Sequence, residues 1–232
     1  MTTIKGVLFD FSGTLLRIES AESWLRAALT ASRTPMAEAE IPRRAAALER
    51  AGALPGGATP EEIPAELAAL WRIRDRDATH HRDLYTGLAR QVPLPRPELY
   101  DALYDRHKTA DAWIPYPDAA EVLAELHRRG IRTAVLSNIG WDLRPVLRAH
   151  GLARYVDSFV LSYEHGMQKP DPRLFSLACD ALQLPPAQVL MVGDDRAADG
   201  GATEVGCAFM PVDHLPVHRR SDGLRPVLDL VG

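Results

Sequence analysis

Five short apolar runs in this chain lack the alternation of polar and apolar residues that a strand with one solvated face shows. Continuous apolar runs are typical of strands buried on both faces, as in parallel sheets. Helical patterns lie between the last four runs, at residues 141–150, 171–182 and 195–206, so the chain from residue 113 onward alternates strand and helix. We therefore expect an α/β fold built on a doubly wound parallel sheet of five or six strands. The predicted strands are residues 4–10, 132–138, 158–162, 189–194 and 207–212.

The segment between the first and second runs has a different pattern. Residues 17–112 contain no β-branched run and are dominated by Ala, Leu, Arg and Glu. Clusters of Pro and Gly at 54–60 and 92–97 separate the helical patterns. We predict that residues 1–16 and 113–232 form the core and that residues 17–112 are an inserted helical cap over the strand ends. The candidate helices are residues 21–32, 43–51, 61–74, 78–91 and 97–108.

Composition limits the partners that we expect for this chain. Its 232 residues are 46% hydrophobic and 25% charged, an ordinary globular balance. The net charge of −4 lacks the basic excess of nucleic-acid-binding proteins. Cys179 and Cys207 lie in apolar runs, as buried thiols do in a reducing compartment. The apolar stretch before Asp10 is too short for a signal-peptide core or a membrane span. We expect a cytoplasmic monomer or homodimer that binds neither nucleic acid nor membrane.

Polar residues follow the ends of the predicted strands, where α/β sheets bind ligands. Asp10 ends the first strand and is a candidate nucleophile, metal ligand or turn cap. Ser137 ends the second and fits a helix cap equally well, and Lys169 lies in a loop where most lysines are solvated. Three carboxylates within six positions repel one another unless a cation offsets them, so they favour a metal site. These acidic residues are Asp194, Asp195 and Asp199.

Taken in order, these features resemble the four motifs of the haloacid dehalogenase (HAD) superfamily. The matching motifs are Asp10-Phe-Ser-Gly-Thr-Leu15, Ser137-Asn138, Lys169-Pro170, and Gly193-Asp194-Asp195 with Asp199. The resemblance covers residues 4–212. It implies a Rossmann-type core with a helical cap inserted between the first and second motifs, and it implies a hydrolase.

The phosphatase branch of this superfamily implies a role for each motif residue. Asp10 would attack phosphorus and form an aspartyl-phosphate on a small phosphorylated substrate. Mg²⁺ would be held by the carboxylates of Asp10 and Asp194 and by the main-chain carbonyl of Ser12. Ser137 and Lys169 would stabilise the phosphoryl oxygens. Gly13, Thr14 and Asn138 are expected to bind substrate. Asp199 is expected to orient Lys169 or a metal-bound water, and Asp195 either to do the same or to face solvent.

Ser12 departs from the phosphatase pattern, which has an aspartate there as general acid and base. Losing such a group typically costs about 10²–10⁴-fold in rate. Three explanations stay open: a good leaving group, a proton donor from the cap such as His80 or His81, or a catalytically impaired, ligand-binding member. Dehalogenases of the superfamily also lack this acid and need no Mg²⁺, but their fourth motif lacks the Gly-Asp pair present at Gly193-Asp194. We therefore predict a phosphatase, with dehalogenation as the alternative.

Overall fold

The computed structural model describes residues 3–232 and contains a five-stranded parallel sheet. The strands in chain order are β1 (Gly6–Phe9), β2 (Leu16–Ile18), β3 (Trp113–Pro115), β4 (Arg132–Ser137), β5 (Ser158–Leu161), β6 (Val189–Gly193) and β7 (Ala208–Pro211). The parallel sheet has the order β5-β4-β1-β6-β7, and β2 pairs with β3 in a separate antiparallel ribbon. The predicted doubly wound α/β fold is confirmed.

Ten α-helices flank or connect these strands within the described residues. They are α1 (Ala21–Ser32), α2 (Ile41–Arg50), α3 (Ala68–Ile73), α4 (Ala78–Ala89), α5 (Glu98–Arg106), α6 (Ala119–Arg128), α7 (Arg144–Ala149), α8 (Ser162–His165), α9 (Pro172–Leu182) and α10 (Val227–Leu230). The first five lie between β2 and β3, so residues 19–112 contain helices and loops only. Across residues 3–232, no helix is both long and apolar enough to cross a lipid bilayer.

The sheet is buried on both faces, which explains its continuous apolar runs. Along β1, Val7 and Phe9 belong to one hydrophobic cluster, whereas Leu8 belongs to the cluster on the opposite face. β1 lies between β4 and β6, with Phe9 in register with both Val135 and Val192. Because the three central strands end side by side, the residues that follow them meet at one edge of the sheet.

The inserted helices pack onto this same edge. The main-chain oxygen of Asp75 accepts a hydrogen bond of 2.5 Å from Ser162 Oγ, which joins the segment before α4 to the start of α8. Asp77 caps α4 by accepting from the main-chain nitrogens of Thr79 and His80. Residues of α3 and α4 are thereby held opposite the carboxyl ends of β1, β4 and β6, where they line the same cavity.

Three local predictions were wrong. The helix expected at 195–206 is a 3₁₀ segment, Asp199–Val205, preceded by a turn in which the Asp195 carboxylate accepts from two main-chain nitrogens. The helix expected at 61–74 begins only at residue 65 and is not continuous: it consists of a 3₁₀ turn (Ala65–Leu67), α3, and a second 3₁₀ turn (Arg74–Arg76). The sequence of residues 214–232 predicts a surface segment that closes with a short helix; the helix is present as α10, but the segment is not all surface, because Arg220 is only 5% exposed.

Candidate active site

Lys169 forms the centre of the site. Its ammonium group lies 2.7 Å from Asp10 Oδ1, 2.6 Å from Asp199 Oδ1 and 3.1 Å from the main-chain oxygen of Leu136. Lys169 and Asp199 are almost fully buried, and Asp10 is 7% exposed. Three acceptors around one ammonium group satisfy all of its N–H donors, which a buried lysine requires. The sequence-predicted residues Asp10, Lys169 and Asp199 are thus brought together.

The charges in this centre do not balance. Burial raises the pKa of Asp10 to about 7, against the attraction of Lys169, while repulsion from Asp199 and Asp194 adds to the rise. Burial likewise raises the pKa of Asp199, which Lys169 opposes. Asp10 and Asp199 thus share a single lysine, and Asp194 adds a third negative group nearby. This excess of negative charge favours a cation at the site.

Asp194 directly follows β6 and contacts the loop of the first motif. Thr14 Oγ1 lies 3.4 Å from Asp194 Oδ1, and His214 Nδ1 makes a short hydrogen bond with Asp194 Oδ2. Gly13 has a φ of +82°, and a Cβ atom at this position would collide with the Asp194 carboxylate and the His214 ring. A residue without a side chain is therefore needed where the loop after β1 passes Asp194.

The second motif fixes the loop that carries Lys169. Asn138 Oδ1 accepts from the main-chain nitrogen of Lys169 at 2.6 Å, and Asn138 Nδ2 donates to its carbonyl at 3.0 Å. The predicted substrate-binding residue Asn138 is thus used in holding this loop in place. Ser137, at the end of β4, is 2% exposed and lines the cavity beside Asp10.

Ser12 lies where the first motif faces the inserted segment. Its hydroxyl is close to Gly56, since a Cβ atom there would lie 2.7 Å from Ser12 Oγ and 2.8 Å from the Trp113 ring. Gly56 has a φ of +77°, so both its backbone conformation and its surroundings require glycine. Asp195, by contrast, is exposed, and its carboxylate caps the turn before Asp199.

A cavity of about 720 Å³ opens above these residues. His81 lines the cavity, whereas His80 is not among its lining residues in the part of the chain described here. The helical spacing of Trp71 and Tyr85 predicts that both belong to the core of the cap, but both also line the cavity. The wall opposite Asp10 is thus formed by aromatic and charged side chains of α3, α4 and the turn between them.

Three further residues were missed by the sequence analysis. Arg220 is buried, donates to the main-chain oxygens of Gly13 and Thr14, and lies 3.2 Å over the Tyr116 ring, so it fixes the first motif. His214 contacts Asp194, and Asp75 is a 4%-exposed carboxyl group on the cavity wall. Arg220 lies more than 200 positions from the loop it holds, a distance at which no local sequence signal exists.

The donors present fit a hard divalent cation. Asp10, Ser12 and Asp194 line the same cavity, and the two carboxylates with the main-chain carbonyl of Ser12 would give the all-oxygen set that Mg²⁺ prefers. Within residues 3–232, no group of three or more His, Cys, Asp or Glu side chains is arranged to hold a metal by itself. A Mg²⁺ ion here would therefore rely on two carboxylates, the main chain, and water or substrate oxygens.

Comparison with known proteins agrees with this geometry. A family model described as haloacid dehalogenase-like hydrolase matches residues 4–203. (S)-2-haloacid dehalogenase 1 of Pseudomonas sp. (strain CBS-3) is 37% identical over 166 residues, 65% of this chain and 72% of that protein. Ribulose-1,5-bisphosphate 5-phosphatase of Halopiger xanaduensis is 35% identical over 178 residues, 70% of this chain and 73% of that protein.

Solved structures show the same fold. L-2-haloacid dehalogenase from Xanthobacter autotrophicus, with chloropropionic acid covalently bound, superposes with a TM-score of 0.64 at 24% identity, covering 96% of this chain and 83% of that one. The similar proteins thus include enzymes named for two different reactions, at carbon–halogen bonds and at phosphate esters.

Proposed function

The chain belongs to the haloacid dehalogenase-like hydrolases, and from this premise we propose that it is a Mg²⁺-dependent phosphatase acting on a small phosphorylated metabolite. The observation that carries the proposal is the position of Asp194, a second carboxylate beside the loop that follows the nucleophile strand. A second carboxylate there would repel an anionic haloacid. Together with Asp10, however, it could bind a cation, and the cation would offset the negative charge of a phosphate.

Each residue of the centre has a part in this proposal. The Asp10 carboxylate attacks phosphorus, the ester oxygen departs, and water then hydrolyses the aspartyl-phosphate. Lys169 holds Asp10 in place and, with Ser137, stabilises negative charge on the phosphoryl oxygens. When bound, Mg²⁺ would reduce the repulsion between the Asp10 carboxylate and the phosphoryl group.

Residues 17–112 would act as a cap that excludes water and selects the substrate. Support for this role comes from Trp71, Arg74 and Tyr85, which line the cavity opposite Asp10. An apolar or aromatic part of the substrate would pack on these rings, and its phosphate would face Lys169.

Dehalogenation is the second candidate, and Ser12 is the observation that favours it. A halide leaves without a proton, so a serine at this position costs a dehalogenase nothing. The 37% identity to a haloacid dehalogenase agrees with this alternative. A catalytically impaired member that binds phosphorylated ligands without turnover is a third candidate.

One set of assays distinguishes the three candidates. The purified protein is incubated with alkyl, aryl and acyl phosphates and with 2-haloacids, with Mg²⁺ or with a chelator, and phosphate and halide are measured. We expect phosphate release that needs Mg²⁺ and a phosphoryl adduct on the peptide containing Asp10, detected by mass spectrometry after acid quench. The matched control is Asp10→Asn, which should form no adduct.

Other outcomes would contradict the proposal. Halide release that the chelator does not affect would identify a dehalogenase. Thermal stabilisation by phosphate esters without any product would identify a binding protein.

A further inference from the structure

The first motif offers only a serine hydroxyl where a phosphatase needs a proton donor for its leaving group. Because in-line attack by Asp10 expels the leaving group on the opposite side of phosphorus, that group would depart away from the end of β1, toward the cavity wall formed by the inserted segment. Among the described residues that line this wall, Asp75 is the carboxyl group contributed by the inserted segment. It is 4% exposed in the protein as a whole.

Asp75 is held in a fixed position relative to the second motif. Its main-chain oxygen accepts from Ser162 Oγ at 2.5 Å, and Ser162 Oγ accepts from the main-chain nitrogen of Ile139 at 2.8 Å. Ile139 directly follows Ser137-Asn138. Two hydrogen bonds therefore connect the main chain of Asp75 to the loop beside Asp10.

The groups around the Asp75 carboxyl suit a proton donor. Arg74 Nε lies 3.3 Å from Asp75 Oδ2, and His81 Nε2 lies 3.9 Å from Asp75 Oδ1. The charge of Lys169 also acts on Asp75, and the charge of Asp75 in turn contributes to raising the pKa of Tyr85. Burial raises the pKa of Asp75, and the charges of Arg74 and Lys169 oppose that rise. Burial also lowers the pKa of His81 well below its usual range, so this ring is neutral at neutral pH.

His81 is itself fixed on its far side. Its Nδ1 lies 2.9 Å from the Tyr104 hydroxyl, and its ring stacks at 4.6 Å from the Tyr85 ring. A neutral imidazole 3.9 Å from the Asp75 carboxyl group does not neutralise its charge. Arg74, which stacks at 4.1 Å on Trp71, is placed to stabilise the carboxylate once the proton has gone.

We propose that Asp75 is the general acid and base that replaces the missing aspartate at position 12, an inference that rests on the proposed phosphatase function. As the Asp10 oxygen bonds to phosphorus, the P–O bond to the leaving group breaks, and that oxygen takes the proton of Asp75. In the second half, the Asp75 carboxylate accepts a proton from the water that attacks phosphorus, and Asp10 is released as a carboxylate. Protons and charges then return to their starting state.

The test compares Asp75→Asn with the native enzyme on two leaving groups. An alkoxide needs a proton to depart, whereas 4-nitrophenolate departs without one. We expect Asp75→Asn to lower kcat/KM for an alkyl phosphate by about 10²–10³-fold and that for 4-nitrophenyl phosphate by less than about 10-fold. The variant should also lose the decline of kcat/KM at high pH for the alkyl ester.

A rapid-mixing experiment gives a second readout. With 4-nitrophenyl phosphate, Asp75→Asn should release a burst of 4-nitrophenol and accumulate the Asp10 adduct, because hydrolysis of the adduct has lost its base. The burst also shows that the variant is folded and binds substrate. The control is Asp77→Asn, which changes a carboxyl group two positions away that caps α4, a role that Asn fills equally well.

The outcomes separate this inference from the proposed function. If no adduct forms on Asp10 in the native enzyme with any substrate, the phosphatase proposal and the role of Asp75 both fail. If the native enzyme forms the adduct but Asp75→Asn slows both esters equally, or neither, only the role of Asp75 is overturned.

Discussion

A lysine and two carboxylates are buried together at the end of β1. Lys169 keeps its charge because its three N–H groups are used by Asp10, Asp199 and the Leu136 carbonyl. The Asp10 carboxylate loses hydration in this buried position, and its pKa rises to about 7 chiefly for this reason. A site that must bring a carboxylate nucleophile out of water is therefore expected to reduce the stability of the fold.

Because burying the ionised Asp10 carboxylate destabilises the fold, we expect Asp10→Asn to stabilise the protein in a pH-dependent way. The pKa of Asp10 rises from 3.8 to about 7 on folding, so its contribution to stability is present below pH 4 and is lost as pH rises to about 7. Asn at position 10 carries no charge, so the variant lacks this pH dependence. We expect the variant and native protein to be equally stable near pH 4 and the variant to be more stable by about 1–4 kcal/mol at pH 8.

Urea unfolding of both proteins between pH 4 and pH 8, with a chelator present, measures this difference. A variant that is less stable than the native protein at pH 8 would show that the Lys169 ion pair outweighs the burial of Asp10.

Individual site residues differ in how far the sequence could predict them. Asp10, Ser137 and Asp194 were predictable because each ends or directly follows an apolar run, and strand ends of a parallel sheet share one edge. Lys169 is separated from β5 by α8, and only the family resemblance singled it out. Arg220 had no such signal. Its burial depends on the Gly13 and Thr14 carbonyls and the Tyr116 ring, which only the folded chain brings within reach.

At the scale of elements, buried strands and long amphipathic helices were predicted closely, and short elements were not. β1, β4, β5, β6 and β7 all fall within the predicted apolar runs. The ribbon of β2 and β3 has three residues in each strand, too few to show a period. The sequence of residues 195–206 predicts a helix. Instead, the Asp195 and Asp199 side chains accept hydrogen bonds from main-chain nitrogens there and stabilise a turn.

The contact between α4 and the loop after β4 gives a prediction for one glycine. A Cβ atom at Gly140 would collide with Cβ and Cγ of His81, so Gly140→Ala must displace α4 or the loop. We expect the free energy of unfolding to fall by about 1–3 kcal/mol, as for other overpacked sites. Urea unfolding followed by circular dichroism measures the change.

Gly200→Ala is the matched control for this variant. A Cβ atom there makes only ordinary contacts, 3.7 Å from the Phe209 ring, so stability should be unchanged or raised by up to about 1 kcal/mol. If Gly140→Ala is as stable as this control, α4 does not pack against the loop as described.

At the scale of the whole molecule, the inserted helices and the sheet share one hydrophobic cluster. It contains Phe9 of β1, Leu48 of α2, Leu84 of α4, Leu103 of α5 and Val192 of β6, all of which are almost fully buried. The segment is also hydrogen-bonded to the core through Asp75 and Ser162. Burial of shared apolar surface couples the stabilities of the two parts, since neither can unfold without exposing the other.

This shared cluster predicts that a cavity in α4 weakens the central strand. Leu84 is fully buried, and Leu84→Ala should lower the free energy of unfolding by about 2–5 kcal/mol. Native-state hydrogen exchange reports the effect at each amide. If the parts unfold together, the slowest amides of β1, such as that of Leu8, lose the same protection as those of α4. If the β1 amides keep their full protection while those of α4 lose it, the helices unfold independently, and the cavity wall that carries Asp75 is not fixed by the core.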